Sequence, residues 1–174
     1  WIGDLHEMTA VNAVDKMGRV AQALQDVRFR TPPRPEFPGL PRLIVGSING
    51  GVGKDYAHWR ASYVPDYCTI LIEVRGLPGQ DWDQTRDDVD VVLRRLAAED
   101  PELEYEIEMP PATNGPHWAS MKVAAHGIDI PRDHYLPQAV ARHHRAVTGQ
   151  VAEWHAYNAW NDSGHYTRAG CTSL

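Results

Sequence analysis

The side chains able to do chemistry are nine histidines, two cysteines, a run of alternating glutamates and a glycine-rich turn. The turn is Asn49-Gly50-Gly51-Val52-Gly53-Lys54. Gly-rich backbone can cradle phosphate, but the phosphate-loop fingerprint needs four residues between its first Gly and a Gly-Lys-Ser/Thr that opens a helix. Here Lys54 is followed by Asp55 and Tyr56 with no helical stripe behind them, so the segment reads as a strand-to-strand turn. The histidines form no metal set. His143 and His144 are adjacent and would point about 100° apart on a helix. His134 has no ligand spacing to either, and His6, His58, His117, His126, His155 and His165 are isolated, with no HExxH or HxD pair. Ser163, His165 and Asp162 can be drawn as a triad, but neighbours in sequence seldom assemble one and no nucleophile elbow surrounds Ser163. Cys68 and Cys171 are too few for a disulfide framework or a Cys-based zinc site.

Composition narrows the class. The chain has 174 residues, one ordinary domain or two small ones, and its 43% hydrophobic and 23% charged residues suit a protein with a buried core. With 17 Lys+Arg against 23 Asp+Glu the net charge is −6, which argues against nucleic-acid binding. No apolar run approaches the roughly 20 residues that span a bilayer, so no membrane role is expected. The chain opens on Trp1 and stops at Cys171-Thr172-Ser173-Leu174, and both ends read as cuts.

The elements follow from periodicity. Val11, Val14, Met17, Val20 and Leu24 make one helical stripe, with Thr9 or Asn12 as its cap. The Pro-rich segment 31–41 is an extended connector, because Pro lacks the donor and fixes φ. Residues 42–48 form a β-branched run. After Val64-Pro65-Asp66, the residues Cys68, Ile70, Ile72 and Val74 line one face of a second strand. A second helix starts after Asp81 and presents Trp82, Thr85, Val89, Val92, Leu93 and Leu96, leaving Asp87, Asp88, Arg94 and Arg95 to solvent. Residues 102–109 alternate fully: Leu103, Tyr105, Ile107 and Met109 against Glu102, Glu104, Glu106 and Glu108. Four glutamates on one face could suggest a metal site, but they read as the wet face of a sheet.

Helix, strand, strand, helix, strand, with one strand missing before Trp1, is the α+β ferredoxin-like sandwich: an antiparallel sheet with two helices on one face. Beyond Pro110 the character changes. A loop over 112–131 leads to a helix bearing Leu136, Val140, His143 and Val147 and ending at Thr148-Gly149. A short strand at 151–157, a brief helix and a strand start at Cys171 follow, which is α/β grammar. The expected division is 1–110 and 111–174.

Several segments resemble a known family in order along nearly the whole chain. They are His6 followed by Asn12-Ala13-Val14-Asp15-Lys16-Met17, then Gly50-Gly51, Ser62-Tyr63-Val64-Pro65-Asp66-Tyr67-Cys68, Glu73-Val74-Arg75 and Leu77-Pro78-Gly79. His134 to Gly149 and Asn161-Asp162 to Gly170-Cys171-Thr172 continue the series. Together they resemble the lid domain, and its return into the catalytic domain, of the co-catalytic zinc amidohydrolases and peptidases. That family includes acetylornithine deacetylase, succinyl-diaminopimelate desuccinylase, aminoacylase-1 and glutamate carboxypeptidase.

The resemblance implies a fragment of a metal-dependent, cytoplasmic hydrolase that cleaves an amide in N-acyl amino acids or small peptides and dimerises through its lid. Zinc, or cobalt, would sit in the parent enzyme, and its ligands match nothing here, so no metal is expected in this chain. By the same resemblance, His6 is a catalytic oxyanion donor reaching the other subunit, and Arg75 a clamp for the substrate carboxylate. Ser62 stands where the family has Asn, and Glu73 where it has Asp; Asn161 and Asp162 line the substrate cleft. The alternative is a non-enzymatic ferredoxin-like ligand-binding or interaction module.

Overall fold

In the computed structural model, residues 10–56, 63–108, 127–159 and 161–174 are described. Helix α1 spans Ala13–Ala23. Of the two candidate caps, Asn12 does the work: its side chain accepts from the amides of Val14 and Asp15 at 3.0 and 3.3 Å. Two of the four orphan donors of the first turn are thereby satisfied. A 3-10 turn, Leu24–Asp26, continues α1. Strands β1, Arg42–Gly51, and β2, Tyr67–Arg75, pair antiparallel. Helix α2, Trp82–Glu99, starts at Asp81, whose carboxylate accepts from the amides of Asp83 and Gln84 at 2.9 and 3.1 Å.

These elements belong to one unit, made from the described parts of Trp1–Pro32, Pro41–Arg75 and Asp81–Ile107. Its core is Val20, Leu24 and Val27 against Val89, Val92, Leu93 and Leu96, each no more than 8% exposed. Burying such a side chain contributes about 1.5–3 kcal/mol, so this stripe-on-stripe contact is what holds the helices. Leu43, Ile70 and Ile72 pack on the same cluster from the sheet. Both helices therefore cover one sheet face, and the fold is α+β of the ferredoxin-like kind.

The register puts Leu43 opposite Val74 and Val45 opposite Ile72, then slips by one residue at Gly46, so that Ser47 faces Leu71 and Ile48 faces Ile70. This bulge puts Ile48, in the second half of β1, on the same sheet face as Leu43 and Val45, although Ile48 itself stays 45% exposed.

Three expectations need correction. Residues 103–108 alternate as foreseen, with Leu103 and Ile107 on the core and Glu104, Glu106 and Glu108 exposed, yet they form no ladder. Alternation decides which side is buried; a ladder also needs a neighbouring backbone about 4.8 Å away, and no described segment pairs with this one. Asp88 is buried, not solvated: it accepts from the Arg30 backbone amide at 2.9 Å and is ion-paired with the Arg30 guanidinium. Residues 151–157 likewise carry no ladder.

The second unit comprises Pro33–Leu40, Gly76–Gln80 and the described part of Glu108–Leu174. It holds α3, Tyr135–Thr148, and α4, Ser163–Arg168. Helix α3 is capped by His134, whose Nδ1 accepts from the Leu136 amide at 3.2 Å, and ends on Gly149 at φ 73°. That left-handed turn is one glycine adopts without strain. The stripe foreseen on α3 is largely uncovered, with Val140 43% and Val147 85% exposed. No helix among the described residues is long and apolar enough to cross a membrane.

Candidate functional site

The motif residues of the first unit converge on the start of α1. The α1 amide of Ala13 donates to the Pro65 carbonyl at 2.8 Å, and Asp66 Oδ1 accepts from the Gly53 amide at 2.7 Å. The glycine-rich turn thus spends a backbone donor on Asp66. Its glycines serve close approach. A Cβ on Gly50 would lie 2.4 Å from Val14 Cγ2 and 3.0 Å from Cys68 Sγ, so the absence of a side chain lets α1 seat on the end of the sheet. A Cβ on Gly51 would lie 2.5–2.7 Å from the backbone of Tyr56. Tyr56 itself has φ 54°, a left-handed conformation uncommon outside glycine. It is tied down at its far end, where its hydroxyl bonds to the Thr69 hydroxyl on β2.

Lys16, in the same motif, is structural. Its ammonium donates to both carboxylate oxygens of Asp100, at 2.8 and 2.7 Å, and to Glu102 at 3.0 Å, while Arg19 adds a 2.8 Å bond to Asp100. The Lys16 hydrogen bond holds the Asp100 carboxyl below its ordinary pKa, and the Asp100 bond raises that of Lys16. Burial pushes the Cys68 thiol up, away from a reactive thiolate.

Arg75 ends β2 on the sheet face opposite the core, because Val74 before it pairs with the inward Leu43. Its Nε donates to Glu73 at 3.0 Å, which orients the guanidinium along the strand. With side chains 38% and 57% exposed, that pair is worth little to stability but does aim the fork. Arg42 stands directly across the ladder from Arg75.

In the second unit, Asn161 and Asp162 precede α4. Asn161 Oδ1 accepts from the Ser163 amide at 3.0 Å, and Asp162 holds the cap position with no side-chain cap bond. Both are exposed. His6 and Ser62 lie outside the described residues. Among the described residues no group of three or more His, Cys, Asp or Glu that could hold a metal ion is assembled.

Asp88, Asp100 and Arg42 were not singled out by sequence reasoning. Asp88 had a signal: it lies three residues from Thr85 and four from Val92, on the buried face of α2. Asp100 and Arg42 had none, since their partners lie far along the chain.

The first unit is thus an α+β unit with two helices on one sheet face, with motif residues bracing a helix start and a strand-end arginine facing away from the core. The family of peptidase dimerisation domains matches residues 4–101, more than half of the chain. The chain belongs to that family, and hence to a peptidase-type hydrolase whose domain is named for self-association. No curated protein and no solved structure gave a match.

Proposed function

We propose that this chain is the lid of a cytoplasmic, zinc-dependent (or cobalt-dependent) amidohydrolase or exopeptidase acting on N-acyl amino acids or small peptides. The lid would occupy 1–110 and the return into the catalytic domain 111–174. The observation that carries the reading is the family match over 4–101, a span that includes His6, Ser62 and Arg75. In this reading Arg75 takes the substrate carboxylate, for which a planar fork aimed by Glu73 suits two oxygens. Ser62, Asn161 and Asp162 contact substrate. His6 donates to the developing oxyanion across a homodimer, a contribution typically worth about 3 kcal/mol of barrier.

The metal ligands belong to the rest of the parent enzyme, so the 174-residue chain self-associates and is inactive alone. Sedimentation equilibrium and a zinc-supplemented deacylase assay on the purified chain test both halves. Concentration-dependent dimers without turnover are expected. A strict monomer at high concentration counts against the lid reading, and zinc-dependent turnover overturns the assignment of the metal site to the parent.

A further inference from the structure

The ladder of β1 and β2 has two chemically different faces. Leu43, Ile70 and Ile72 turn the inner one toward the helices, while Arg42, Ile44, Glu73 and Arg75 stand at alternate positions on the outer one. Both α1 and α2 pack on the inner face, so neither covers the outer. Where two residues facing each other across this ladder are both charged, both are arginine: Arg42 opposite Arg75. Side chains so placed leave the sheet about 4.5–5.5 Å apart at Cβ, and like charges there repel. Glu73 is the only acidic residue of the two strands, and it bonds to Nε of Arg75. Two positive charges against one negative leave this end of the outer face with a surplus of one. A singly charged anion reaching both guanidiniums removes the surplus and the repulsion together.

We propose that Arg42 is the second half of the substrate clamp, so that Arg42 and Arg75 hold one carboxylate between them and the substrate class is one with a free carboxylate at that end. This rests on the reading of Arg75 as the residue that takes the substrate carboxylate. The charge surplus sets the valence of the group, because one carboxylate balances it and an amide does not. Guanidinium forks set its shape, since each can take an oxygen of a planar carboxylate. The ladder sets the spacing, because strand pairing fixes the two arginine backbones relative to each other, and sites built on such elements are more precise than sites on loops.

The experiment is a titration of the 174-residue chain with N-acetyl-leucine and with N-acetyl-leucinamide, read by backbone amide NMR shifts. Saturable binding of the acid is expected, with shifts at residues 42–44 and 73–75, and the amide should bind roughly tenfold more weakly. Arg42→Gln and Arg75→Gln should each weaken the acid roughly threefold, as suits one exposed ion pair, and so narrow its advantage over the amide. Arg94→Gln, on α2 and paired with Asp90, should leave that advantage as it is. An advantage that Arg75→Gln narrows and Arg42→Gln does not overturns the shared clamp while the reading of Arg75 stands. Acid and amide binding alike, no binding of either, or an advantage that neither substitution narrows overturns the reading of Arg75 and this proposal with it.

Discussion

Replacing Gly51 by Ala should destabilise the first unit, and replacing Gly18 by Ala should stabilise it. The two changes add the same methyl group, so the contrast isolates the surroundings. At Gly51 the new Cβ would meet the C, Cα and O atoms of Tyr56 at 2.5–2.7 Å. Comfortable carbon contacts begin near 3.5 Å, so the shortfall is close to 1 Å. Those three atoms are backbone and cannot rotate away. Tyr56 is already left-handed and its hydroxyl is bonded to Thr69, which limits retreat in either direction. Overpacking of this kind costs about 1–3 kcal/mol, and backbone atoms on the receiving side put Gly51→Ala near the upper end. Gly18 is exposed inside α1, and a Cβ there meets nothing within 4 Å. Only the helix-propensity term remains, a gain of about 1 kcal/mol. Urea unfolding followed by circular dichroism gives both values, and their separation should approach 4 kcal/mol. A Gly51→Ala variant within about 0.5 kcal/mol of the parent would refute the close-approach argument, for surface substitutions usually fall in that range.

Other expectations follow from the same contacts. Leu24→Ala, at a position 2% exposed between both helices, should cost about 2–5 kcal/mol in the same assay. Asp88→Ala should cost about 1–3 kcal/mol, because it leaves the Arg30 backbone amide without its acceptor; Arg30→Ala keeps that amide bond but strips the buried Asp88 carboxylate of its counter-charge, and should cost at least as much. The Asp100 carboxyl is held below its ordinary value, so its contribution is present above about pH 4 and is lost as pH falls through the lower folded pKa. Lys16 is raised, so its share is intact below about pH 10.5 and is lost as pH rises through the higher folded pKa. Melting temperatures measured across pH should fall more gently on the acid side in Asp100→Asn than in the parent. An unchanged acid limb would remove Asp100 from the account.

The helices were legible because their signals are local. Asn12 and Asp81 cap from within three residues, and the buried positions of α2 repeat every three or four. The two strands were legible for the same reason, down to the inward Ile70 and Ile72. Residues 103–108 show the limit: a side-chain pattern specifies a face, while pairing depends on a second segment. Asp88 was assigned to solvent by its charge alone, although its helical position placed it inward; the partner that makes burial tolerable, Arg30, is 58 residues away. For the candidate site, the resemblance located Arg75, but Arg42 beside it emerged only from the register. The role of Gly50 and Gly51 was read as a turn signal, whereas in the fold both glycines make room for other parts of the chain.

The Lys16–Asp100 bond has a kinetic consequence. It joins residues 84 apart, about five times the span between Gly51 and Tyr67 at the closed end of the hairpin. Closing the longer loop costs about 1.4 kcal/mol more in chain entropy, so the hairpin can form first and the two helices are clasped afterwards. Weakening the clasp should therefore leave the folding rate nearly unchanged and speed unfolding. On this reasoning Lys16 and Asp100 govern how long the folded unit lasts rather than how quickly it is reached.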